Sequence, residues 1–136
     1  MEETTPATVR DDEWLARFVL FSRWIRSDRT LRPDAFIPHP WPDLSVTRHL
    51  QLSENEIWEI GQAIADKRGS DLLGRGDLQA SIPRAQRLQI DADPIEGNLN
   101  HANITAWPAD KPSQKIIAQE IASRAYFVTT PIDTKD

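Results

Sequence analysis

The side chains best suited to proton transfer or metal ligation are His39, His49 and His101, and their spacing argues against a metal. None stands in the H-x3-H or H-E-x-x-H arrangement that puts two imidazoles on one helix face, so a zinc site would have to be assembled wholly by the fold. The chain has no cysteine, which removes thiolate ligands, disulfides and thiol nucleophiles together. No metal and no cofactor is implied.

His39 sits in Pro38-His39-Pro40-Trp41-Pro42, a loop composition. Arg48-His49 closes a candidate strand, and His101-x-Asn103 lies within another. If those strands were neighbours, a guanidinium and an imidazole would converge on an anion, with histidine as base or donor. The plainer reading makes them rim residues, with His101 and Asn103 bonded to nearby backbone.

Eight serines are present, and none occupies a G-x-S-x-G elbow. The carboxylate pairs Asp91/Asp93 and Glu54/Glu56 fall at a strand end and in a helix first turn, where solvation and the helix dipole explain them. Gly74-Arg75-Gly76-Asp77 reads as a tight turn leading into Leu78-Gln79-Ala80-Ser81-Ile82, and it lacks the spacing of a phosphate loop.

The remaining chemistry is cationic and aromatic. Arg17, Arg23 and Arg26 interleave with Phe18, Phe21 and Trp24, a composition able to stack on bases and touch phosphates, or else to bury its rings and pair its cations with acids. Five tryptophans are many for 136 residues. Trp41, Trp58 and Trp107 lie beside prolines or off a helix stripe, and exposed Trp with Arg is the composition of interface hot spots.

A net charge of −5 argues against general nucleic-acid affinity, which needs a positive face. The average hides an asymmetry: five arginines from Arg17 to Arg32 meet one acid, Asp28, whereas residues 51–136 hold nine basic and thirteen acidic side chains. No stretch approaches the roughly 18 apolar residues needed to span a bilayer, and the first residues are acidic and polar, so the expectation is a cytoplasmic protein with no membrane partner. Length and a 39% apolar share predict one core. The ordered domain is expected over 13–130, with a flexible segment at 1–12 and a tail at 131–136.

These residues must be held by elements the pattern predicts. Ser53 and Glu56 form a capping box, Leu52 and Ile57 a hydrophobic staple, and Lys67-Arg68-Gly69 a cationic last turn with a glycine stop, which sets a helix over 54–68. Asp110 ahead of Lys111-Pro112, then Ile117, Ile121 and Ala125, predicts a second helix to about Arg124, followed by a strand over Tyr126–Thr130. Alternation marks strands at Leu44/Val46/Arg48, Leu88/Ile90/Ala92 and Ala102/Ile104/Ala106. Residues 14–25 fit both periods, and we read them as a short helix passing into a strand. The expected class is α+β, one mostly antiparallel sheet with two or three helices packed on one face.

The segments Arg32–Pro38 (RPDAFIP), Leu44–Arg48 (LSVTR), Leu52–Gly61 (LSENEIWEIG) and Asn100–Pro108 (NHANITAWP) together resemble short bacterial proteins of variable gene neighbourhoods. The resemblance spans about 17–128 and implies a bacterial origin, with no activity attached. The functional expectation is a non-enzymatic interaction module or accessory subunit, docking on a protein partner or a second copy. Its face would draw on Arg17, Arg23, Trp24, Arg26, Arg48, His49, Trp58, Arg75, His101, Asn103 and Trp107. One alternative is nucleic-acid or nucleotide binding by the arginine and aromatic side chains. Another is an enzyme without a motif, which requires Arg48, His49, Arg75 and His101 to share one pocket.

Overall fold

A computed structural model describes residues 6–131. Six strands form one sheet: β1 (Trp14–Val19), β2 (Leu44–Arg48), β3 (Gly74–Gln79), β4 (Gln89–Ala92), β5 (His101–Thr105) and β6 (Tyr126–Thr129). Their order is β4-β5-β2-β1-β3-β6, and every neighbouring pair is antiparallel. The helices are α1 (Glu54–Arg68), α2 (Ser81–Ala85) and α3 (Lys111–Arg124), with 3-10 turns at Ser22–Trp24 and Pro33–Phe36. The chain is an α+β protein with a single antiparallel sheet.

Helix α1 begins and ends on its local signals. The Ser53 side chain accepts from the Glu56 amide at 3.1 Å, the Ser53 amide donates to the Glu56 carboxylate at 2.8 Å, and Gly69 closes the helix at φ 67°. These bonds satisfy backbone groups that the helix leaves orphaned at its ends.

The helices cover both faces. Leu15 and Val19 of β1 point into the large core with Phe36 and with Ala118 and Ile121 of α3, whereas Ala16 and Phe18 meet Ile57 of α1 on the other side. This corrects the one-face packing expected from the sequence, because α1 and α3 lie on opposite faces of the sheet. It also explains why residues 14–25 form a strand and then a 3-10 turn, the reverse of the expected helix-then-strand. A strand buried on both faces loses its alternation, and periodicity cannot then separate it from a buried helix.

Gly74-Arg75-Gly76-Asp77 is likewise corrected, from a turn to β3, an interior strand between β1 and β6. Its glycines serve close approach: a Cβ on Gly76 would lie 2.7 Å from Leu31 and 3.0 Å from Phe36, and one on Gly74 would lie 2.5 Å from the Val128 carbonyl oxygen. Gly74→Ala is therefore expected to lower stability by about 1–3 kcal/mol, with amide exchange accelerating first in β6. A stability equal to or above the parent's would show that β6 shifts freely.

Residues 6–12 do not form the frayed segment expected. Val9 is buried in the core, and its carbonyl accepts from Arg84 at 2.6 Å. Residues 1–5 and 132–136 lie outside the described residues.

Candidate functional site

A cleft of about 590 Å³ opens where the C-terminal end of β1 meets the N-terminal end of β2. Arg17, Phe21, Arg23 and Trp24 reach it from β1 and the 3-10 turn that follows. The loop after the second 3-10 turn adds His39, Pro40 and Trp41. Arg68, from the end of α1, and Lys111 and Lys115, from the start of α3, complete it. Five cations thus share the lining with two carboxylates, Asp34 and Asp43.

Arg17 is held by main chain alone: its Nε donates to the Ala35 carbonyl at 2.8 Å and a terminal nitrogen to the Ser45 carbonyl at 3.1 Å. Burial, with the like charge of Arg68 added, pulls its pKa down to about 10, so it stays protonated at neutral pH while its charge is disfavoured. Among the described residues no carboxylate lies within ion-pair distance of Arg17, Arg23, Arg68, Lys111 or Lys115. Lys111 and Lys115 also sit on the first turns of α3, where the helix dipole disfavours positive charge. Arg17 and Trp24 are stacked, guanidinium carbon to ring centroid 5.4 Å, while Trp41 is 68% exposed.

The other arginines singled out from the sequence have structural partners. Arg48 is fully buried, and Glu13 takes two of its N–H groups, each at 2.8 Å; it also donates to the carbonyls of Pro6 and Thr8. It clamps the N-terminal segment and faces no ligand. Arg75 lies buried between Asp77 (2.9 Å) and Glu54 (2.9 and 3.2 Å), with its guanidinium 4.6 Å from the centre of the Trp58 ring. His49 Nε2 is 3.1 Å from the same Asp77 oxygen. The Arg75–Glu54 bonds, against the rise that burial alone would cause, hold the Glu54 carboxyl below its ordinary range. Arg26 is exposed outside the cleft and donates to the Leu31 carbonyl.

Trp58 is buried, and Trp107 is half-buried with its indole N–H on the Ile104 carbonyl. The pocket expected for Arg48, His49, Arg75 and His101 does not form. Arg48 leaves the opposite face of the sheet from His49 and Arg75, and His101 belongs to a separate group with Ser45 and Asp93. In that group His101 Nε2 is 3.2 Å from Ser45 Oγ, and His101 Nδ1 is 2.9 Å from the Asp93 carbonyl and 3.3 Å from its carboxylate. Asn103 donates to that carboxylate at 3.0 Å.

No family model, curated protein or solved structure matches the chain. Function must therefore be argued from the geometry. Among the described residues no group of three or more His, Cys, Asp or Glu could hold a metal ion, and no helix is long and apolar enough to cross a membrane. Of the cleft residues, the sequence pattern marks Arg17, Arg23 and Trp24 as binders and does not mark Arg68, Lys111 or Lys115. In the sequence Arg68 is accounted for by the cationic last turn of α1. The one available signal was the pair of lysines opening α3 against its dipole.

Proposed function

We propose that the cleft binds a small anion bearing a planar ring, of which a nucleotide is the representative chemistry. The observation that carries this is Arg17, a half-buried cation beside a second cation, hydrogen-bonded only to carbonyls and facing a cavity. Leaving such a charge without a counter-charge is unfavourable, and a bound phosphate or carboxylate relieves it. A volume near 590 Å³ falls in the range of small-molecule sites, about 300–1,000 Å³. Trp41 supplies an exposed ring on which a base can stack.

The docking-face reading has less to stand on, because Arg48, Arg75 and Trp58 are buried and occupied. Exposed aromatic surface of the kind a protein partner would use is found at Trp14 and Tyr126, whose rings lie 6.0 Å apart.

Titration with AMP, ATP and a short oligonucleotide at low salt, followed by tryptophan fluorescence and calorimetry, tests the proposal. Binding is expected, and Arg17→Met should weaken it about 10–100-fold, the worth of one charge-assisted hydrogen bond. Arg26→Ala, outside the cleft, should leave it unchanged. Failure of all three ligands to bind, or equal effects of the two substitutions, removes the proposal. Tighter binding of the oligonucleotide, with a steep salt dependence, would identify the nucleotide as part of a strand.

A further inference from the structure

Ser45, His101 and Asp93 come from three strands or strand ends that neighbour one another. Ser45 is on β2 and faces Asn103 of β5 in register, so His101, opposite Thr47, reaches it along the diagonal. Asp93 follows β4 directly, and its amide donates to the His101 carbonyl at 2.8 Å, which fixes it beside the ring. Both Asp93 atoms facing His101 Nδ1 are oxygen acceptors, a carbonyl and a carboxylate, so Nδ1 carries the ring proton. Nε2 is then left as an acceptor, and the group in front of it is the Ser45 hydroxyl at 3.2 Å. Asn103 holds the carboxylate in place.

A base bonded to a hydroxyl, and oriented by an acid on its far nitrogen, is the arrangement that makes serine a nucleophile. Ser45 is exposed and lines the cationic cleft, and it also borders a smaller adjoining cavity together with His101, Arg17 and Arg68.

We propose that Ser45, His101 and Asp93 form a nucleophilic triad that hydrolyses a small carboxylic ester carrying a negative charge. Ser45 Oγ forms a bond to the ester carbonyl carbon while its proton passes to His101 Nε2. The negative charge that develops on the carbonyl oxygen is stabilised by the guanidinium groups of Arg17 and Arg68. The carbon–oxygen bond to the alcohol then breaks, and the departing alkoxide takes the proton from His101. Water attacks the acyl-serine in turn, giving one proton to His101, and Ser45 leaves as the protonated hydroxyl when the acid is released. Ester and water are consumed, and acid and alcohol are formed. The triad stands on its own geometry; the choice of an anionic substrate rests on the binding role proposed for the cleft.

The test uses the full chain and an uncharged alkyl fluorophosphonate, which forms a phosphorus–Oγ bond as fluoride leaves. Peptide mass mapping is expected to place the adduct on Ser45. Ser45→Ala should abolish it, and His101→Gln should slow it about 100-fold or more while circular dichroism stays unchanged. Hydrolysis of the p-nitrophenyl half-ester of succinate should exceed that of p-nitrophenyl butyrate at least tenfold in kcat/KM, and Arg17→Met should bring the two to parity. Absence of an adduct at Ser45, or an adduct formed equally fast in His101→Gln, overturns the triad. Labelling at Ser45 with equal turnover of the two esters overturns the substrate class. Labelling with no nucleotide binding would sustain the triad and remove only the nucleotide as the ligand.

Discussion

Arg48→Met is expected to destabilise the domain by about 3–5 kcal/mol, the cost of leaving one partner of a buried ion pair without the other. The side chains of Arg48 and Glu13 are 0% and 5% exposed, and the substitution keeps most of the stem volume while stripping the carboxylate of both guanidinium bonds. The Pro6 and Thr8 carbonyls lose their donors at the same time, so residues 6–12 should detach before the core opens. Urea unfolding measures the loss, and amide exchange in residues 6–12 locates it. Burial raises the Glu13 pKa, but the Arg48 bonds and the Arg10 amide outweigh it and hold the group below its ordinary 4.5. The stabilisation is thus fully present above about pH 4.5 and is lost as the pH falls through the lower folded value. The gap between parent and variant should narrow on acidification through that window. Adding Glu13→Leu to Arg48→Met should recover part of the loss, because apolar side chains can replace a buried pair. A loss below about 1 kcal/mol in the single variant would mean that water reaches Glu13.

Arg75→Met should cost about 3 kcal/mol by the same mechanism on the other face. Asp77 is 8% exposed and would keep only His49, while Trp58 would lose the cation stacked on it. Glu54, whose side chain is 61% exposed, contributes far less as a partner. Glu54→Gln should therefore cost under about 1 kcal/mol. Equal losses in the two variants would place the stabilisation in the contact between α1 and the sheet and take it away from buried Asp77. Near-ultraviolet circular dichroism should change in Arg75→Met, since Trp58 reports directly on the guanidinium above it.

The contrast between these arginines and Arg17 is what directs function to the cleft. Arg48 and Arg75 each meet a carboxylate nearby, and neither has chemistry left to offer a ligand. Arg17 has two carbonyls, a neighbouring cation and open space. The sequence around an arginine cannot distinguish these cases, because the carboxylates that neutralise the charge are supplied by segments up to 35 residues away.

What could be read from the chain alone was whatever local physics decides. The capping box, glycine stop and apolar stripe mark α1 within a few residues of where it forms, the Asp110 cap marks α3, and alternation marks β4 and β5 because each keeps a residue-by-residue contrast between its faces, as β2 does only over Leu44-Ser45-Val46. Where both faces are covered, as in β1, that contrast vanishes. Where glycines make room for neighbours, as in β3, strand composition imitates a turn. Tertiary structure alone decided which cations were neutralised, and it alone brought Ser45 to His101 across 56 residues. Strand register sets that meeting, and register arises from the pairing of distant segments, which leaves no mark in the spacing of the residues it joins.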